Sequence, residues 1–104
     1  MRKTRPVKSR QAIIKAIGAH KFELKEKFKV AEIGVFGSFV RGEQKCRSDI
    51  DVLVEFLEGG VTFRNYMDLK FYLEELLDKK VDLVIKRSIR KELKDIILSE
   101  AVYV

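Results

Sequence analysis

The stretch Gly37-Ser38-Phe39-Val40-Arg41-Gly42-Glu43-Gln44-Lys45-Cys46-Arg47-Ser48-Asp49-Ile50-Asp51 decides how this chain is read. Two apolar runs border it, Ala31 to Phe36 on one side and Val52-Leu53-Val54-Glu55-Phe56 on the other. Both runs have the β-branched and aromatic content of strands. A Gly-Ser turn therefore ends one strand, and an Asp-x-Asp pair starts the next.

Side chains alternate along a strand, so Asp49 and Asp51 point to the same side and their carboxylates repel. A divalent cation with hard oxygen ligands, Mg²⁺ above all, relieves that repulsion and also binds nucleotide phosphates. An isolated Asp-x-Asp is more often a solvated turn, but here the turn before it supplies the complementary half. Gly37 allows backbone geometry and close approach that other residues resist. The Ser38 hydroxyl and neighbouring N–H groups can cradle phosphate, and Arg41 adds a cation. A third acid stands in Val81-Asp82-Leu83-Val84-Ile85. An unpaired carboxylate is costly inside such an apolar run. If this strand lies beside the second, Asp82 joins Asp49 and Asp51, placed to bind metal or to accept a proton from an attacking hydroxyl.

Working outward, Pro6 suits a first helical position, and Val7, Ile13, Ile14, Ala16 and Ile17 form an apolar stripe, which predicts a helix over 6–18. A second short helix is expected over 21–28, where Leu24 and Phe28 are four apart. Residues 38–42 are read as a short helix opening and 42–47 as a polar loop. The second strand spans Asp49 to Phe56, and its unbroken apolar run implies burial on both faces. Thr62 is the expected N-cap of a helix carrying Phe63, Tyr66, Met67, Leu69, Leu73, Leu76 and Leu77 at helical spacing. Val81 to Ile85 is the third strand. Ser88 is expected to cap a last helix marked by Ile89, Leu93, Ile96, Ile97 and Ala101, and Val102-Tyr103-Val104 is an apolar tail. The order predicts an α/β fold of the α+β kind, a small sheet with flanking helices.

The 104 residues suit one domain over 1–104, with 1–29 a basic helical leading segment. That segment holds ten Lys or Arg against two Glu, for +8, while residues 30–104 hold twelve against fourteen, for −2. Such a face can dock RNA or an acidic partner, although most charge runs are solvated. Cys46 and His20 are each the sole residue of their type, which excludes a disulfide and a zinc cluster within the chain. Any metal is held by oxygen. No run nears the roughly 20 apolar residues of a membrane span, and no secretory signal precedes the domain, so the expected location is cytoplasmic.

Gly37-Ser38-Phe39-Val40-Arg41-Gly42, Ser48-Asp49-Ile50-Asp51-Val52-Leu53-Val54 and Val81-Asp82-Leu83-Val84 together resemble the signature of the DNA polymerase β-like nucleotidyltransferase superfamily, and within it the minimal nucleotidyltransferases of the MNT group. The resemblance implies that Asp49 and Asp51 are metal ligands, Asp82 the third catalytic and metal-binding carboxylate, and Gly37 and Ser38 triphosphate contacts, with Arg41 and Ser48 as further nucleotide-binding residues. It implies Mg²⁺ as cofactor and ATP as substrate. Because the chain has no length for an acceptor domain, it also implies an acceptor in trans: a HEPN-domain toxin, modified on a tyrosine hydroxyl by AMP, with this chain as antitoxin in a hetero-oligomer. Two other readings compete: an antitoxin that neutralises by binding alone, using its basic first helix and apolar tail, and an RNA nucleotidyltransferase or nucleic-acid binder.

Overall fold

A computed structural model describes residues 10–37 and 49–104. In chain order they form α1 (Arg10–Ala19), α2 (Lys21–Phe28), β1 (Val30–Phe36), β2 (Ile50–Phe56), α3 (Phe63–Leu77), β3 (Val81–Ile85), a 3₁₀ turn (Lys86–Ser88), α4 (Lys91–Glu100) and β4 (Val102–Tyr103). The expected helix start at Pro6, the residue Val7 and the short helix at 38–42 lie outside the described residues.

Periodicity decides which face each helix buries. Ile13 and Ile17 on α1 are four apart, and both are fully buried, as are Leu69, Leu73 and Leu77 along α3 and Leu24 on α2. They pack against Ile33, Val35, Ile50, Val52, Val54, Phe56, Val81 and Leu83 of the sheet. Each such side chain contributes about 1.5–3 kcal/mol of burial. Polar ties set the helices in place. Thr62 caps α3 by accepting from the Asn65 N–H at 3.1 Å. The Asn65 side chain donates to Phe28 O and Gly60 O, both at 2.8 Å, joining the start of α3 to the end of α2. Tyr66 donates to Leu83 O at 2.6 Å, fastening α3 to β3.

The sheet has the order β3-β2-β1-β4. β1 runs antiparallel to β2 and to β4, while β2 and β3 are parallel, joined across α3 as a βαβ unit. α1, α2 and α3 cover one face. On the opposite face alternation places Phe36 on β1, Asp51, Leu53 and Glu55 on β2, and Asp82 on β3. Leu53 and Phe36 are buried there outside the main core cluster. The middle of β2 is thus buried on both sides, as its apolar run predicts.

Some expectations are corrected. Ser88 does not cap the last helix: it closes the 3₁₀ turn, Ile89 N–H donates to Lys86 O at 3.3 Å, and Arg90 takes the N-cap position without a side-chain bond. Phe63 lies at the first position of α3 with 80% of its surface exposed, off the core stripe. Beyond these corrections, His20 is half-buried, its ring edge-on to Tyr72 and Nδ1 3.0 Å from Ala16 O. The apolar tail is a strand, pairing Val102 with Val35 and Tyr103 with Gly34. No described helix is long and apolar enough to cross a membrane.

Candidate active site

The site is built at the meeting of three strand ends. β1 finishes at Phe36, β2 begins at Ile50 and β3 begins at Val81, all at one end of the sheet. Phe36 pairs with Asp51 across the antiparallel ladder, and Asp51 pairs with Asp82 across the parallel one. Residues in register on neighbouring strands share a face, with backbones about 4.8 Å apart. Asp51 and Asp82 are therefore immediate neighbours. Asp49 precedes β2 by one residue, exposed and on the same side as Asp51 by alternation, while Ile50 between them is fully buried in the core. Asp51 is half-buried and Asp82 exposed.

Gly37 closes the arrangement. Its φ of +81° lies in the left-handed region, and a Cβ built there would collide with Oδ2 of Asp51 and sit 3.0 Å from its Cγ. The bare backbone of the turn thus lies directly against the carboxylate. Ser38, Arg41 and Ser48 lie outside the described residues, as do Lys45, Cys46 and Arg47.

As the side chains stand, no three His, Cys, Asp or Glu residues among the described ones are gathered tightly enough to hold a metal ion. The donor set nonetheless fits Mg²⁺. That ion takes hard oxygen ligands, keeps several waters and completes its shell with substrate phosphates, so it needs one or two protein carboxylates rather than a cage. Asp51 beside Asp82, with Asp49 at the strand entry, meets that need.

Arg87 pairs with Glu55 at 3.0 Å and donates to Phe56 O at 3.1 Å, at the opposite end of β2 from Asp51. Arg90 is exposed at the start of α4. Sequence reasoning missed a pair close to the carboxylates. Lys70 and Glu74 on α3 bond at 2.9 Å, and Glu74 accepts from the Val81 N–H at 3.0 Å, one residue before Asp82. The Val81 N–H and then Lys70 hold the Glu74 carboxyl below its ordinary pKa. The Lys70 ammonium is held above its own, mainly by Glu74, with Asp82 a smaller contributor. The i,i+4 spacing signalled the pair. Its reach to β3 had no local signal.

Residues 17–104 match the nucleotidyltransferase domain family, and the chain belongs to that family. The chain is 51% identical over 86 residues to the protein adenylyltransferase MntA of Thermococcus cleftensis, covering 83% of this chain and 86% of that protein. Among solved structures, one described as a minimal nucleotidyltransferase matches with a TM-score of 0.71 at 35% identity, over 86% of this chain and 93% of the other. A chain of a toxin–antitoxin complex crystallised with AMP-PNP matches with a TM-score of 0.67 at 28% identity, over 82% and 69%. The protein is a nucleotidyltransferase with a mixed four-stranded sheet.

Proposed function

We propose that this nucleotidyltransferase moves AMP from ATP to a hydroxyl of a partner protein, a tyrosine of a HEPN-domain toxin, and thereby acts as an antitoxin. The observation that carries the reading is the register that sets Asp51 against both Gly37 and Asp82. A protein acceptor is supported by the relative that is named a protein adenylyltransferase, and a toxin partner with ATP by the similar toxin–antitoxin chain crystallised with AMP-PNP.

In this reading Asp49, Asp51 and Asp82 would hold Mg²⁺, which supplies positive charge against the triphosphate and the departing pyrophosphate. Gly37 and Ser38 bind the phosphate chain, with Arg41 and Ser48 as added contacts. Asp82 takes the proton of the acceptor hydroxyl. The hydroxyl oxygen then bonds to the α-phosphorus, the bond from that phosphorus to the bridging oxygen of the β-phosphate breaks, and pyrophosphate leaves with the electron pair.

The test is transfer from ATP labelled at the α- or the γ-phosphate, with Mg²⁺ and the purified HEPN-domain protein. The α label is expected on the partner and the γ label is not. Equal labelling by wild type and by the Asp49→Asn, Asp51→Asn double variant would sink the catalytic reading. Full neutralisation of the toxin by that variant, without label, would favour an antitoxin that works by binding.

A further inference from the structure

The peptide unit between Lys80 and Val81 is held from both sides. Its carbonyl accepts from the Ile50 N–H at 2.9 Å, and Ile50 is the residue between Asp49 and Asp51. Its N–H donates to Oε2 of Glu74 at 3.0 Å, the oxygen that Lys70 Nζ also reaches, at 2.9 Å. β3 is an outer strand of the sheet. Among the described residues no further strand lies on that side to accept from Val81, and a helix side chain does so instead. The C=O and N–H of a trans peptide point in opposite directions within one rigid plane. That plane links α3, through Glu74, to the stretch of β2 that carries the two aspartates, and Asp82 is the next residue along.

We propose that Glu74 is a positioning residue for the carboxylate set. By gripping the Lys80–Val81 peptide it holds the start of β3 at the height that brings Asp82 beside Asp51, and Lys70 keeps Glu74 turned toward that peptide. Glu74 itself need not touch the substrate. What Val81 requires is an acceptor oxygen at that place, which Gln supplies and Ala does not. The inference rests on the roles proposed above for Asp51 and Asp82.

Two readouts on the full chain test it: amide hydrogen exchange at Ile50 and Val81, and Mn²⁺ affinity in the presence of AMP-PNP, with Mn²⁺ as the probe. Glu74→Ala is expected to speed exchange at both amides and to weaken Mn²⁺ binding by about 10–100-fold, the usual cost of losing a group that orients metal ligands. Glu74→Gln is expected to restore both to within about threefold of wild type, below that range. Wild-type Mn²⁺ affinity in a folded Glu74→Ala protein overturns the proposal, and so does an equal loss in the Ala and Gln variants. If Glu74→Ala does not fold, Glu74→Met, which fills similar space without an acceptor, takes its place with the same expectations. Failure of both to fold also overturns the proposal, since Glu74 would then be a determinant of folding. Asp82→Asn separates the two levels of the argument. If it binds Mn²⁺ as wild type does, the reading of the carboxylates fails; if it is weakened while Glu74→Ala is not, only the role of Glu74 fails.

Discussion

Gly37 is held by two separate constraints, its backbone conformation and the neighbour its α-carbon faces. A side chain at φ +81° is strained wherever it stands, and here it would also push into Asp51. Gly37→Ala is therefore expected to cost about 1–3 kcal/mol of stability and to cut nucleotidyl transfer more deeply than that loss explains, because Asp51 must move. Urea unfolding and the label-transfer assay measure the two effects separately. Glu74 gives a pH prediction at the same scale. Its folded pKa lies below the ordinary 4.5, first through the Val81 N–H and then through Lys70. The stability it contributes is fully present above 4.5 and is lost as pH falls through the lower, folded value. Glu74→Gln removes that proton uptake, so the urea midpoint of the variant is expected to fall less steeply than that of wild type on acidification below 4.5.

Among the elements, β4 shows where a local reading stops. Its strand pairing covers two residues, and it is possible because Gly34 is bare: a Cβ there would lie 3.0 Å from Val102 O and 3.3 Å from Tyr103 Cα. Gly34→Val is expected to loosen β4, costing about 1–3 kcal/mol and speeding exchange of the Val104 amide, which donates to Ile33 O at 2.9 Å. Elements with dense local signals were legible. β3 has the expected limits Val81 and Ile85, β1 and β2 start within one residue of theirs, and Thr62 caps α3. Their apolar runs and capping chemistry lie within a few residues of each other. Partners distant in the chain were not legible. Ser88 looked like a cap because nothing nearby in sequence announced the 3₁₀ turn, and the pairing of Arg87 with Glu55, 32 residues away, had no local signal. For the same reason Asp82 was assigned to the site on the condition that β3 lies beside β2. The parallel register meets that condition. The α3 core follows period-four spacing alone, so Leu73→Ala should cost about 2–5 kcal/mol by thermal or urea unfolding.

At the scale of the whole molecule, the described helices α1, α2 and α3 cover one face of the sheet, and the carboxylates stand at one end of the other. The far end of that second face is occupied by ion pairs, Glu55 with Arg87 and Glu32 with Lys86, the latter cation also lying over the Tyr103 ring. At the other end Asp49, Asp51 and Asp82 stand with the glycine turn at Gly37, the place that the proposed function gives to the triphosphate. The measurement that bears most directly on this account is the single-turnover rate of AMP transfer to the partner by wild type and by Asp82→Asn, at saturating ATP and Mg²⁺, with both proteins shown to be folded. The account predicts that Asp82→Asn is slower by at least about 100-fold, the lower range for losing a positioned general base. A rate within a few-fold of wild type would contradict it.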